Sequence, residues 1–82
     1  MNIDTIRTFI QEEILNEADF QIEPDQDLLL SEILNSLSVT MLIAHLENTC
    51  DVVIPPEDVT LENFSTLQSI ETYIHSRIQA GD

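Results

Sequence analysis

At 82 residues the chain has room for one domain, and a domain of that size buries only about 60–65% of its unfolded surface, which leaves little material for a deep, walled active site. Sixteen acidic residues face two basic ones, Arg7 and Arg77, with no lysine, for a formal charge of −14. That field repels phosphate backbones and anionic lipid surfaces, so nucleic acid and membrane are not expected as partners, and basic protein surfaces are favoured by electrostatic steering.

One hydrophobic rhythm, with steps of three, four and four residues, occurs three times and predicts three helices. The first carries Ile3, Ile6, Ile10 and Ile14, with Asn2 placed to cap it. From Asn16 to Asn35 runs a long connection broken by Pro24, with Leu28, Leu29 and Leu30 available to pin it to the core. Within it, Asp25-Gln26-Asp27 begins like a calcium loop but lacks the glycine and the bidentate glutamate at the right offsets, so these read as solvated acids. The second helix carries Val39, Leu42, Leu46 and Cys50, with Asn35 or Ser36 as cap. Asp51 to Ser65 contains Pro55-Pro56 and then Thr60 to Phe64, long enough for one short helical turn. Ser65-Thr66-Leu67-Gln68 resembles a capping box for the last helix, whose stripe is Leu67, Ile70, Ile74 and Ile78. The expected fold is an all-α, up-down bundle of three main helices plus one short one, forming a single domain over 1–82.

The second helix keeps apolar residues on two faces. At about 100° per residue, Leu42, Ile43, Leu46 and Cys50 gather around Val39, while Leu37, Met41 and Ala44 lie on the far side with Asn48. A surface helix ordinarily carries charge there. A small apolar patch next to a serine at the helix start therefore points to docking, and to chemistry done on that serine. Other residues read blandly. Cys50 is a single cysteine on the core face, a small buried hydrophobe. His45 and His75 lie on different helices without metal spacing and read as surface or helix-end residues. Phe9, Phe20, Phe64 and Tyr73 are core or loop anchors. Serine-protease chemistry lacks both a glycine-rich turn and the chain to build an oxyanion hole. The start Met1-Asn2-Ile3-Asp4 has no basic, apolar leader, and no segment reaches the apolar length of a membrane span, so a cytoplasmic protein is expected.

Asn35-Ser36-Leu37 opening the second helix, Leu46-Glu47 near its end, then Val53-Ile54-Pro55 and Thr66 before the last helix form a pattern that resembles the acyl carrier proteins, the broad family that includes peptidyl and aminoacyl carriers. The match runs over nearly the whole chain. The resemblance implies a carrier and not an enzyme: Ser36 would bear 4′-phosphopantetheine taken from coenzyme A, with acyl or aminoacyl cargo held as a thioester. It implies a phosphopantetheinyl transferase, an acyl- or amino-acid-activating enzyme and a downstream synthase, transferase or thioesterase as partners, with Leu37, Met41, Ala44, Glu47 and Asn48 on the docking face of a stand-alone monomer. A phosphodiester on Ser36 would meet the free N–H groups and positive end of a helix. The chain departs from the family pattern twice. Asn35 replaces the usual Asp, keeping the cap but losing a charge associated with metal-assisted transfer. Ser31-Glu32-Ile33-Leu34 lacks a glycine often found there, so that loop is expected to avoid positive φ. Because Glu47 is the only acid between Ser36 and Cys50, the docking face is neutral where fatty-acid carriers are commonly acidic, which favours polyketide, nonribosomal peptide or related specialised assembly. An acidic helical interaction module without a prosthetic group is the alternative reading.

Overall fold

The computed structural model describes residues 2–17 and 19–80, with side chains through Ile78; Met1, Ala18, Gly81 and Asp82 lie outside the described residues. Helices α1 (Ile3–Phe9), α2 (Ser36–Cys50), α3 (Leu61–Phe64) and α4 (Leu67–Ala80) enclose a core in which Ile6, Ile10, Leu28, Leu42, Leu46, Leu67, Ile70 and Ile74 are completely buried. The expected all-α bundle of three main helices and one short one is the fold observed, with no strand among the described residues.

Asn2 caps α1 by accepting from Thr5 N at 2.9 Å, as its position foretold. Ile3 N donates to Glu71 Oε2 at 3.1 Å and ties the start of α1 to α4. The helix does not continue regularly to Ile14: residues Ile10–Ile14 form a π-helical turn, closed by Leu15 N to Ile10 O at 2.8 Å. This wider turn still leaves Ile14 packed against the core, which is why the apolar spacing looked like a single helix.

The long connection is held by more than its leucine run. Ile22, Leu28, Ile33 and Leu34 are buried, and Arg7 Nε donates to Ile22 O at 3.0 Å while its Nη1 pairs with Asp4 at 2.8 Å. Of the three expected pins, Leu28 is buried, Leu29 half-buried and Leu30 exposed. Asp27 Oδ1 explains the last, because it accepts from the N–H groups of both Leu29 and Leu30 and folds a local turn with Leu30 at its outside. The expectation that this loop avoids positive φ is corrected: Glu32 sits in the left-handed region at φ 63°. Chain reversal between the buried Leu28 and the buried Ile33 and Leu34 requires such a residue, and the bond from Leu34 N to Leu28 O at 2.9 Å closes the loop around it. A non-glycine residue in that region costs roughly 1–2 kcal/mol, less than the burial of three aliphatic side chains returns.

The capping box at α4 is displaced by one residue. Thr66 Oγ1 accepts from Ser69 N at 3.0 Å, so Thr66 is the cap. Ser65 and Gln68 instead hold the long connection: Ser65 O accepts from Leu28 N at 2.6 Å and Gln68 N donates to Pro24 O at 3.2 Å. Ile78, expected in the core stripe, is 39% exposed; it lies in the last turn of α4, beyond the final buried position, Ile74.

Candidate functional site

Ser36 is the first residue of α2 and is exposed. The cap belongs to Asn35, whose extended backbone (φ −121°, ψ −174°) directs Oδ1 to Ser38 N at 2.9 Å. Val39 N to Asn35 O, at 2.8 Å, is the first bond of the helix ladder. The N–H groups of Ser36 and Leu37 therefore precede the ladder and are unclaimed by the cap. The Ser36 carbonyl accepts from Thr40 Oγ1 at 2.9 Å, while Ser36 Oγ has no hydrogen-bond partner among the described residues. A serine whose hydroxyl neither caps nor packs is free for modification.

A groove of about 1060 Å³ opens beside this hydroxyl. The loop before α2 contributes Leu29, Glu32 and Asn35, α2 contributes Val39 and Ile43, the segment leading into α3 contributes Val59, and α3 contributes its first residue, Leu61. Ile43, placed with the core residues by the helical phase, is half-buried and forms part of this groove.

The far face of α2 is as the helical phase predicts. Leu37 is 71% and Met41 40% exposed, and Ala44 and Asn48 are exposed beside them. Glu47 differs from its companions. It is half-buried, and its Oε2 accepts from Ile54 N at 2.8 Å, tying the loop after α2 back onto the helix. No acidic residue lies in the first turn of α2. The C-terminal end of α2 is closed by Asp51 in the left-handed region at φ 55°.

The histidine at position 45 is not at a helix end or simply at the surface: its ring stacks on Phe9 with centroids 3.9 Å apart and planes 14° apart, joining α2 to α1. Phe64 is buried, and Phe9, Phe20 and Tyr73 are half-buried against the core. Cys50, expected to be buried, is half-buried against the core and forms no disulfide. Sequence reasoning missed the Tyr73 hydroxyl, which donates to Asp58 Oδ2 at 2.7 Å. Burial, then the Asp58 hydrogen bond and charge, push the phenol up to about 12.

The site fits a phosphopantetheine arm. The Ser36 residue is exposed, a phosphodiester on its hydroxyl would meet the unclaimed N–H groups at the positive end of a fifteen-residue helix, and an open groove lies alongside.

Comparison with known proteins agrees. Residues 4–74 match the PP-binding family, described as "Phosphopantetheine attachment site". The D-alanyl carrier protein of Lactococcus lactis subsp. cremoris (strain MG1363) is 31% identical over 68 residues, which cover 83% of this chain and 86% of the relative. The D-alanyl carrier protein of Lactococcus lactis subsp. lactis (strain IL1403) is 29% identical over the same coverage. Among the described residues, no helix is long and apolar enough to cross a membrane. With an exposed serine at a helix start and a match over most of its length, this chain belongs to the acyl carrier protein family, whose members bear 4′-phosphopantetheine and act as carriers and not as catalysts.

Proposed function

We propose that Ser36 is the residue esterified by 4′-phosphopantetheine and that the domain carries an aminoacyl group between biosynthetic enzymes. The arm supplies a terminal thiol on which cargo is held as a thioester. The observation that carries this reading is the division of labour at the start of α2: Asn35 caps the helix, so the Ser36 hydroxyl stays exposed and unbonded. The first-turn N–H groups of Ser36 and Leu37 stabilise the negative charge of a phosphodiester at that oxygen. The lack of acids in that turn keeps repulsion there low.

An amino acid as cargo is favoured by the similarity to proteins named D-alanyl carriers. Those names suggest an amino-acid-activating enzyme upstream and narrow the wider field of polyketide, nonribosomal peptide and related assembly. Partner enzymes, beginning with the phosphopantetheinyl transferase, dock on Leu37, Met41, Ala44 and Asn48. Glu47 contributes to that face indirectly, because its carboxylate is engaged by Ile54 N. The docking face is therefore neutral and apolar in a strongly acidic protein, and recognition through it rests on burial of nonpolar surface more than on ion pairs.

Incubating the apo-protein with coenzyme A and a broad-specificity phosphopantetheinyl transferase tests the reading. The intact mass of the native chain gains one arm, and that of Ser36→Ala gains none. A native chain that never gains the arm supports the prosthetic-group-free interaction module instead.

A further inference from the structure

The segment that walls the groove beside Ser36 is nearly devoid of core anchors. Ile54 and Phe64 are buried, but no residue from Pro55 through Asn63 is. Val59 is 37% and Leu61 65% exposed, although both face the groove. The ends of the segment are tied down, at Ile54 N by Glu47 Oε2 (2.8 Å) and at Ser65 O by Leu28 N (2.6 Å). Between those ties the backbone is organised locally: Asp58 N bonds Pro55 O, Val59 N bonds Pro56 O, and Asn63 Nδ2 bonds Asp58 O at 2.9 Å. Local bonds shape the segment without fixing it to the bundle. A stretch with little buried apolar area opens at low free energy.

Midway along it, Asp58 Oδ2 accepts from the Tyr73 hydroxyl at 2.7 Å. Tyr73 stands on α4, its ring packed against Phe64 with centroids 5.5 Å apart. The same aspartate receives the Asn63 amide through its carbonyl. A shift of Asp58 would therefore move the short 3-10 turn Pro56–Asp58 and the start of α3 together.

We propose that Tyr73 is a positioning residue: its hydrogen bond to Asp58 latches the groove wall from Pro56 to Asn63 against α4 and thereby sets the opening of the groove next to Ser36. The functional consequence rests on the Ser36 reading, whereas the latch itself does not. Tyr73 does not itself line the groove; it reaches the groove through Phe64, which its ring packs against, and through its hydrogen bond to Asp58 in the wall.

Backbone hydrogen exchange on the full chain tests the latch through Tyr73→Phe, which keeps the ring against Phe64 and deletes only the hydroxyl. Losing one such bond accelerates exchange at Val59, Thr60 and Asn63 about tenfold, while Ile10 and Leu42 exchange as in the native protein. Asp58→Asn, which retains an acceptor for the hydroxyl, restores native exchange, and Asp58→Ala behaves like Tyr73→Phe. Unchanged exchange in the wall, or equal acceleration in wall and core, overturns the proposal. In parallel, loading of the holo-protein by an amino-acid-activating enzyme is compared among the variants. A raised KM in Tyr73→Phe and Asp58→Ala, with Asp58→Asn near native, supports a role in presentation. Native KM values in all three overturn that role and leave a purely structural tie. Failure of the native chain to accept the arm refutes the Ser36 reading and is seen separately, before any variant is made.

Discussion

Replacing Leu46 and Met41 in turn sets the two faces of α2 against each other. Leu46 is completely buried and Met41 is 40% exposed, five residues apart on the same helix. Truncating a fully buried leucine to alanine removes its transfer free energy and leaves a cavity, at a cost of about 2–5 kcal/mol. A domain of 82 residues has in total about 4–12 kcal/mol of stability, and at this size each kcal/mol shifts Tm by roughly 4–8 °C. Leu46→Ala should therefore lower Tm by about 8–40 °C, or leave the domain partly unfolded at the start of the scan. Met41→Glu removes a half-solvated side chain and should cost less than about 1 kcal/mol. Its effect belongs to recognition, because an unpaired carboxylate in an apolar interface must be desolvated. Circular-dichroism melting of the two variants, followed by the rate of phosphopantetheine transfer to each, separates the outcomes. A Met41→Glu variant as unstable as Leu46→Ala refutes the assignment of faces. One that is folded and modified and loaded at native rates refutes docking through this face.

Three further outcomes follow from individual contacts. Asn35→Ala deletes the cap bond to Ser38 N and should destabilise the domain by about 1 kcal/mol, measured by urea titration, whereas Ser36→Ala should leave stability within about 0.5 kcal/mol; equal losses would mean that Ser36 shares the cap. Tyr73, with its phenol raised from 10 to about 12, binds its proton more tightly when folded, so its contribution is complete below about pH 10 and is lost as pH rises towards 12. Denaturation midpoints across that window should fall more steeply for the native chain than for Tyr73→Phe, and parallel curves would contradict the contact with Asp58. Finally, sixteen carboxylates share two guanidinium groups, so added monovalent salt should raise Tm near neutral pH by screening like charges, and a flat response would show the acids to be too dispersed to matter.

Much of this architecture is legible in the residues because apolar spacing and burial report the same geometry. The steps through Val39, Leu42 and Leu46 and through Leu67, Ile70 and Ile74 identify faces that are indeed buried. Features set by tertiary contact were less visible. The π-helical turn at Ile10–Ile14 preserves the placement of its isoleucines, so spacing alone does not distinguish it from a regular helix. Glu32 takes a left-handed conformation without glycine because the buried residues on either side demand a reversal. Thr66, not Ser65, caps α4: its Oγ1 accepts from Ser69 N and its carbonyl from Ile70 N, while the Ser65 carbonyl accepts from Leu28 N. Glu47 falls on the helix face expected to dock, and its carboxylate also closes the loop after α2, a tie that spacing alone does not reveal. The Tyr73–Asp58 pair joins residues whose proximity follows only from how α4 packs. At the site, Asn35 and Ser36 were legible as a cap and a hydroxyl next to one another, and the structure resolves which of them caps.

Site mapping of the modified protein tests the central claim most directly. After transfer from coenzyme A, the holo-protein is digested and the peptide spanning Glu32 to Leu46 is fragmented in a mass spectrometer to locate the arm. An exposed, unbonded Ser36 Oγ next to a capping Asn35 predicts that the arm is found on Ser36 alone and that Ser36→Ala abolishes it without loss of helicity. Modification at Ser38 or elsewhere, or an arm retained by Ser36→Ala, would contradict the assignment.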